Sequence, residues 1–303
     1  MTIATGSKTT LHYISEVTYG TTPATPTWTP LCITGASLGL TKDTLEAGKL
    51  SADRQIKDAR HGNKQVGGDT KSELEYGTFD DMLEAMAMGT WAADILKAGI
   101  VRRSFTFERF FDLATDEYHR YTGCEINTMS LSVAPNAMIE LTFGIIGQDM
   151  SANTAQVASS TYSAVLGNEP FDSFSGTINE GGSPIADVTA IELNWENGIE
   201  PAFVVGSDLT IRPSDGKSRL TGTVTTFFQS KALYDKFIAE TASSLDFTLT
   251  DSSAQSLKFD MNNIVYKAGN PDVSGEGPVT LALEFTAIYA SGDASQVVIT
   301  RTP

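Results

Sequence analysis

The sequence predicts a mainly β, antiparallel protein built from two tandem units, each with one short helix. Three observations carry that expectation. Apolar and polar residues alternate with period two in at least five segments, the pattern of half-buried strands. Only two stretches have helical spacing, and both are short. The same order of strands and helix also occurs twice along the 303 residues, and a chain of this length exceeds the roughly 250 residues at which one core stops growing. Two cores are therefore expected.

The elements can be justified in order. Ala36-Ser37-Leu38-Gly39-Leu40 alternates near the start of the first unit, and Ile33 to Leu38 matches Val188 to Leu193 in the second. Gly68 to Tyr76 matches Arg219 to Phe227. A helix is predicted to follow each of these strands. The first starts from Thr78 as N-cap, with Asp81 three residues on and Met82, Leu83 and Met86 on one face. The second starts from Ser230, ahead of Leu233, Tyr234, Phe237 and Ile238. Arg103 to Phe107 and Ser244 to Leu249 then correspond as strands. Two-strand units close each half, with Leu141-Thr142-Phe143 matching Leu283-Glu284-Phe285. Pro135-Asn136 and Gly275 to Pro278 supply hairpin punctuation. The boundary is placed between residues 155 and 156. Residues 156–187 read as a linker with one hairpin, because they are rich in small and polar residues and include Gly181-Gly182.

The halves are expected to differ in one place. Asp43 to Asp69 has little apolar content and reads as a long structureless loop in the first half alone, the kind of segment that is functional or mobile. It is also basic: Lys42, Lys49, Arg54, Lys57, Arg60 and Lys64 outnumber Asp43, Glu46, Asp53 and Asp58. A positive arm on a negative body suits an intermolecular contact. The blander alternative is a solvated mixed-charge loop.

Charge excludes much. The formal net charge is -16 and both halves are acidic, so a groove that grips nucleic acid through its phosphates is not expected. No apolar run reaches the roughly 18 residues of a membrane-spanning helix. The first residues lack the basic and apolar regions of a secretory signal, so a cytoplasmic protein is expected. Two cysteines, Cys32 and Cys124, give neither a disulfide framework nor a zinc site. Gly35-Ala36-Ser37-Leu38-Gly39 matches the nucleophile-elbow pattern formally, but its serine lies in an alternating strand instead of a strand-to-helix turn. His12, His61 and His119 have no metal-like partners in sequence. Asp80-Asp81 begins a helix, where the dipole accounts for it, and Asp116-Glu117 is not spaced for glycoside hydrolysis. No phosphate-binding or dinucleotide loop is present. Phe105, Phe107, Phe110 and Phe111 read as core packing in preference to base stacking. No enzyme and no cofactor are expected.

Three stretches carry a family resemblance: Glu16 to Ala24 (EVTYGTTPA), Ser51 to Ile56 (SADRQI), and Gly67-Gly68-Asp69 running on to Glu73 to Ala85 (ELEYGTFDDMLEA). In that order they resemble the tail tube proteins of long-tailed, non-contractile bacteriophages, in particular the group with a duplicated tube domain. The match covers most of the first half closely and the second by pattern. It implies two packed antiparallel sheets and a flanking helix per tube domain, and subunits joined by sheet edges into rings that stack into a hollow tail. Two tube domains per chain imply a homotrimeric, pseudo-sixfold ring. The implied partners are further copies of the chain, a tape-measure protein and the tail tip and completion proteins. DNA would pass through during ejection without specific binding, in a virion tail assembled in the host cytoplasm. The family counterpart of the basic loop reaches an adjacent ring.

Elementary physics agrees with this picture, because unpaired sheet edges are satisfied by pairing and head-to-tail pairing closes a ring. A channel-lining strand should be polar on one face. Lys71, Glu73, Glu75, Thr221, Thr223 and Thr225 are the candidate lumen residues, with Leu74, Val224 and Thr226 on the packed face. The competing expectation is a carbohydrate- or receptor-binding pair of β-sandwiches, in which Trp28, Trp91 and Trp195 could stack on sugars.

Overall fold

The computed structural model describes residues 3–50, 53–173, 176–185, 187–229, 231–273 and 275–303. Strand makes up 53% of the chain and helix 6%, so sheet pairing positions almost everything. The first half contains β1 (Thr10–Ser15), β2 (Thr27–Leu31), β3 (Gly35–Ala36), β4 (Gly39–Glu46), β5 (Ala59–Glu73), α1 (Asp80–Ala87), β6 (Ile95–Lys97), β7 (Phe105–Phe111), β8 (Glu117–Val133), β9 (Glu140–Gly147) and β10 (Asp149–Asn153). After β11 (Thr161–Tyr162) come β12 (Gly176–Glu180), β13 (Ser183–Pro184), β14 (Val188–Glu196), β15 (Glu200–Ala202), β16 (Ile211–Ser214) and β17 (Arg219–Phe227). The chain ends with α2 (Ala232–Ile238), β18 (Ser243–Thr250), β19 (Ser256–Ala268), β20 (Pro271–Asp272), β21 (Thr280–Ala287) and β22 (Val298–Thr302).

The two halves repeat one pairing scheme. In the first, β2–β1–β7 lead to the start of β8, which also takes β10 on its other side. In the second, β13–β12–β18 lead to the start of β19, which takes β22. The far ends of β8 and β19 then join a different sheet, through β9 to β5 and through β21 to β17. Each half is thus two antiparallel sheets sharing one long strand, with hydrophobic side chains packed between them.

The halves are fused by strand pairing. β14 lies against β8 with Ile191 opposite Val133 and Glu196 opposite Thr128, so one long sheet runs β5–β9–β8–β14–β17–β21–β19. Its packed face follows register across both halves, as in the row Ser72, Leu141, Leu131, Leu193, Gly222, Phe285, Tyr266. Gly222 in that row is required by space, since a Cβ there would lie 2.6 Å from the Phe285 ring. The buried residues form one cluster drawn from both halves. The two cores expected from length are therefore joined, because the junction is itself a ladder of buried cross-strand pairs.

Several sequence expectations shift. Thr78 does not cap α1: its hydroxyl donates to Glu75 Oε2 at 2.9 Å, and the helix starts at Asp80 without a side-chain cap. Met82, Leu83 and Met86 are buried as expected. Ser230, the expected start of the second helix, lies outside the described residues, as do Ser51 and Ala52. The alignment of the halves moves as well. With Phe143 and Phe285 equivalent, Thr70 matches Gly222, one residue from the expected alignment, and Ala36 matches Leu193. Buried Thr70 and Ser72 sit where alternation alone expects apolar residues, which is why the sequence misaligns.

The segment read as a linker is strapped to the first half. β11 pairs with β2, Phe171 is fully buried, and its amide donates to the Leu74 carbonyl at 2.8 Å. Gly181 and Gly182, both with positive φ, make the tight turn between β12 and β13. The C-terminal β22 lies between β19 and β6, a strand lent by the first half.

Candidate functional site

The face of the long sheet opposite the core is mostly polar, with Val265, Ala190 and Ala282 as apolar positions toward its margins. One row runs Lys71, Thr142, Ser130, Asn194, Thr221, Thr286, and the next runs Glu73, Glu140, Ser132, Glu192, Thr223, Glu284. A third runs Asp69, Gly144, Thr128, Glu196, Arg219. These rows carry six carboxylates and two cations. Glu73 stands directly opposite Glu140, an arrangement of like charges that costs stability in a sheet. A shallow depression of about 330 Å³ crosses the junction between the halves, lined in part by Asp69, Thr142, Asn194, Glu196 and Arg219.

Of the six candidate lumen residues, Lys71, Glu73, Thr221, Thr223 and Thr225 lie on this open face, opposite buried Leu74, Val224 and Thr226. Glu75 lies past the end of β5, where it accepts the Thr78 hydroxyl and bridges toward Pro170. Partial burial pushes its carboxyl above the ordinary range, the Thr78 hydrogen bond opposes this, and Glu73 adds to it. The sequence pattern missed Asp69, Glu140, Glu192, Glu196 and Glu284. Alternation in β9, β14 and β21 could have shown them, but only the register places them beside one another.

The basic segment is a hairpin, which corrects the structureless loop expected from its composition. β4 and β5 pair from Gly39 opposite Gly67 to Glu46 opposite Ala59, and a tip follows. Its outer part has solvent on both faces, so alternation disappears: Leu45 in β4 and Leu50 and Ile56 in the tip are 62%, 103% and 64% exposed. Lys42 stands opposite Lys64, and both face Asp208 of the second half. The Lys64 ammonium lies 2.9 Å from Asp208, which raises its pKa and lowers that of the carboxylate. Arg60 is exposed on β5, while Lys49, Arg54 and Lys57 are exposed in the tip, with Lys57 ion-paired to Asp53.

The second half has a counterpart to this arm that the sequence did not reveal. Between β14 and β17, residues 197–218 leave the sheet, form the small β15–β16 pair and fold back on the first half. Buried Glu125 of β8 receives Arg102 and Arg212, the latter at 2.8 Å, and Arg102 also donates to the Pro213 carbonyl at 2.6 Å. Gln148 donates to the Thr210 carbonyl at 2.9 Å. Asn197 is 3% exposed and donates to the carbonyls of Met86 at 2.9 Å and Ile126 at 3.3 Å.

The remaining polar candidates are dispersed. Ser37 Oγ accepts the Asp69 amide at 2.9 Å, bridging the break between β3 and β4. His12 packs edge-on against Tyr162, and its burial lowers its pKa. His61 is in the arm, and His119 lies 3.4 Å from Glu117. Among the described residues no group of three His, Cys, Asp or Glu side chains is placed to hold a metal, and no helix is long and apolar enough to cross a membrane. Both cysteines are unbridged. Trp28 and Trp195 are buried, and Trp91 lies beneath the Arg301 guanidinium, 4.6 Å from the ring centre. The indole faces that a sugar-binding reading needs are occupied.

No curated protein matches the chain. The family model described as phage tail tube protein matches residues 6–287, nearly the whole length of a chain whose two halves repeat one pairing scheme. The chain belongs to the phage tail tube protein family, structural components of the virion tail.

Proposed function

We propose that the chain is the ring-forming subunit of a hollow tail tube, with the open face of the long sheet as its inner wall. The observation that carries this reading is the junction between the halves. One tube unit joins the next by pairing the free edge of β8 with β14, and the polar face continues across the join without a break. The first unit has an edge at β3 and β4 equivalent to that of β14, and the second has one at the end of β19 equivalent to that of β8. Repeating the join between chains generates a closed annulus. Three chains supply six units, so the ring is a homotrimer with pseudo-sixfold symmetry.

Such a wall conducts DNA without holding it. Its six carboxylates outnumber its two cations, Lys71 and Arg219, and give a negative potential that reaches about 8 Å at physiological salt. Like-charge pairs such as Glu73 and Glu140 are tolerated because they serve the passage of a polyanion. The arm, exposed and basic toward its tip, joins successive rings. Tape-measure, tip and completion proteins are the expected partners, and assembly takes place in the host cytoplasm before the tail enters the virion.

Negative-stain electron microscopy of the concentrated purified chain tests this. Rings with apparent sixfold symmetry, or stacked tubes, are expected. A species that stays monomeric by light scattering at all concentrations, with no rings on the grid, would refute it.

A further inference from the structure

Resting on that reading, we infer the register in which one copy grips the next: Gly35 of β3 lies opposite Asn270 of the neighbouring copy, and the start of the arm covers its α2. The inference comes from carrying the internal junction to the ends of the chain. Gly35 pairs with Lys71 as Glu192 pairs with Thr223, so Gly35 is the counterpart of Glu192. Ser132, the partner of Glu192, pairs on its other side with Glu140. The counterpart of Glu140 is Ala282. Along β21 the pairing steps from Glu284 opposite Ala268 to Leu281 opposite Pro271, which places Asn270 against Ala282. The intermolecular ladder then runs from Gly39 beside Val265 to Gly35 beside Asn270, and Pro271, with no N–H to give, ends it.

The helices supply an independent observation. Five residues of α1 are buried and none of α2. The difference lies in what covers them: Asn197 bonds to the Met86 carbonyl at the end of α1, and buried Ile199 packs beside Ala85 and Met88. Among the described residues nothing does this for α2, whose Ile238 is 61% exposed. By the same count of residues, Leu40 and the positions after it follow β3 as Asn197 follows β14. The uncovered α2 is thus the seat of the first residues of a second copy's arm.

Cysteine pairing in the full chain tests the register. In a Cys32→Ser background, Gly35→Cys has open space around its new side chain, and Asn270→Cys is at an exposed position. Oxidation of assembled Gly35→Cys/Asn270→Cys should give covalent dimers and closed trimers on a non-reducing gel. A Gly35→Cys/Ala268→Cys control is out of register along the same face, at a Cα separation of roughly 7–8 Å, and should cross-link at least about tenfold less. Rings seen by microscopy in the same sample without cross-links, or equal cross-linking of the control, overturn the register and leave the tube reading standing. If the unsubstituted chain forms neither rings nor tubes, both fall. Ile238→Asp provides a second readout: it should keep the circular dichroism of the wild type and lose ring formation, and normal rings would overturn the covering of α2.

Discussion

The arm of residues 39–66 and the excursion of residues 197–218 leave the long sheet at equivalent points, yet one is a projecting hairpin and the other a strap. The excursion is short of regular structure and rich in anchors: Asn197 and Arg212 each meet buried partners on the first half. The arm has a regular ladder and few anchors, with Lys64 and Asp208 tying only its base. One topological position has therefore been used in two ways. Where the neighbouring unit belongs to the same chain, the segment can bury charge and fix the join permanently. In the proposed ring, where the arm's neighbour is another molecule, the segment must hold its own shape before the partner arrives, and backbone pairing does that without help from a core.

That contrast can be broken in steps. The largest effect is expected from Glu125→Ala, which leaves Arg102 and Arg212 converging without their carboxylate. Loss of one member of such a buried network costs about 3–5 kcal/mol. Urea unfolding should show a much lower midpoint, and limited proteolysis should cut the released segment around 203–209. Resistance to protease with an unchanged midpoint would mean that the strap is held by its backbone alone. Asn197→Ala comes next. It strips the Met86 and Ile126 carbonyls of their donor, a loss of about 1–2 kcal/mol, and the same unfolding experiment would read it. The smallest effect on unfolding belongs to the arm. Lys57→Glu with Arg60→Glu touches no buried group, so its denaturation curve should overlay that of the wild type, and rings should still form. Stacking should be impaired, and microscopy that finds tubes of normal length would remove these two charges from the contact between rings.

A good deal of this was legible in the residues. Alternation in Leu281-Ala282-Leu283-Glu284-Phe285 and Leu245-Asp246-Phe247-Thr248-Leu249 identified strands that the structure contains, because each has one wet and one dry face. The arm was misread for the converse reason, since a hairpin with solvent on both sides has no face to alternate. Thr70 and Ser72 hid the alignment of the halves, as small hydroxyl residues are tolerated inside a sheet where a neighbour such as Leu141 fills the space. The excursion escaped notice because its anchors, Asn197, Arg212 and Gln148, are ordinary polar residues whose partners are distant in sequence.

By itself the sequence determined the family, the β class, the two short helices, the acidic balance and the basic character of the arm, all properties of local pattern and composition. Only the tertiary structure decided that the halves share one sheet, which carboxylates stand side by side on its open face, and which helix is left uncovered. These depend on strand register, and register is settled by pairing between segments far apart in the chain, where a slip of one residue would turn every open-face side chain into the core.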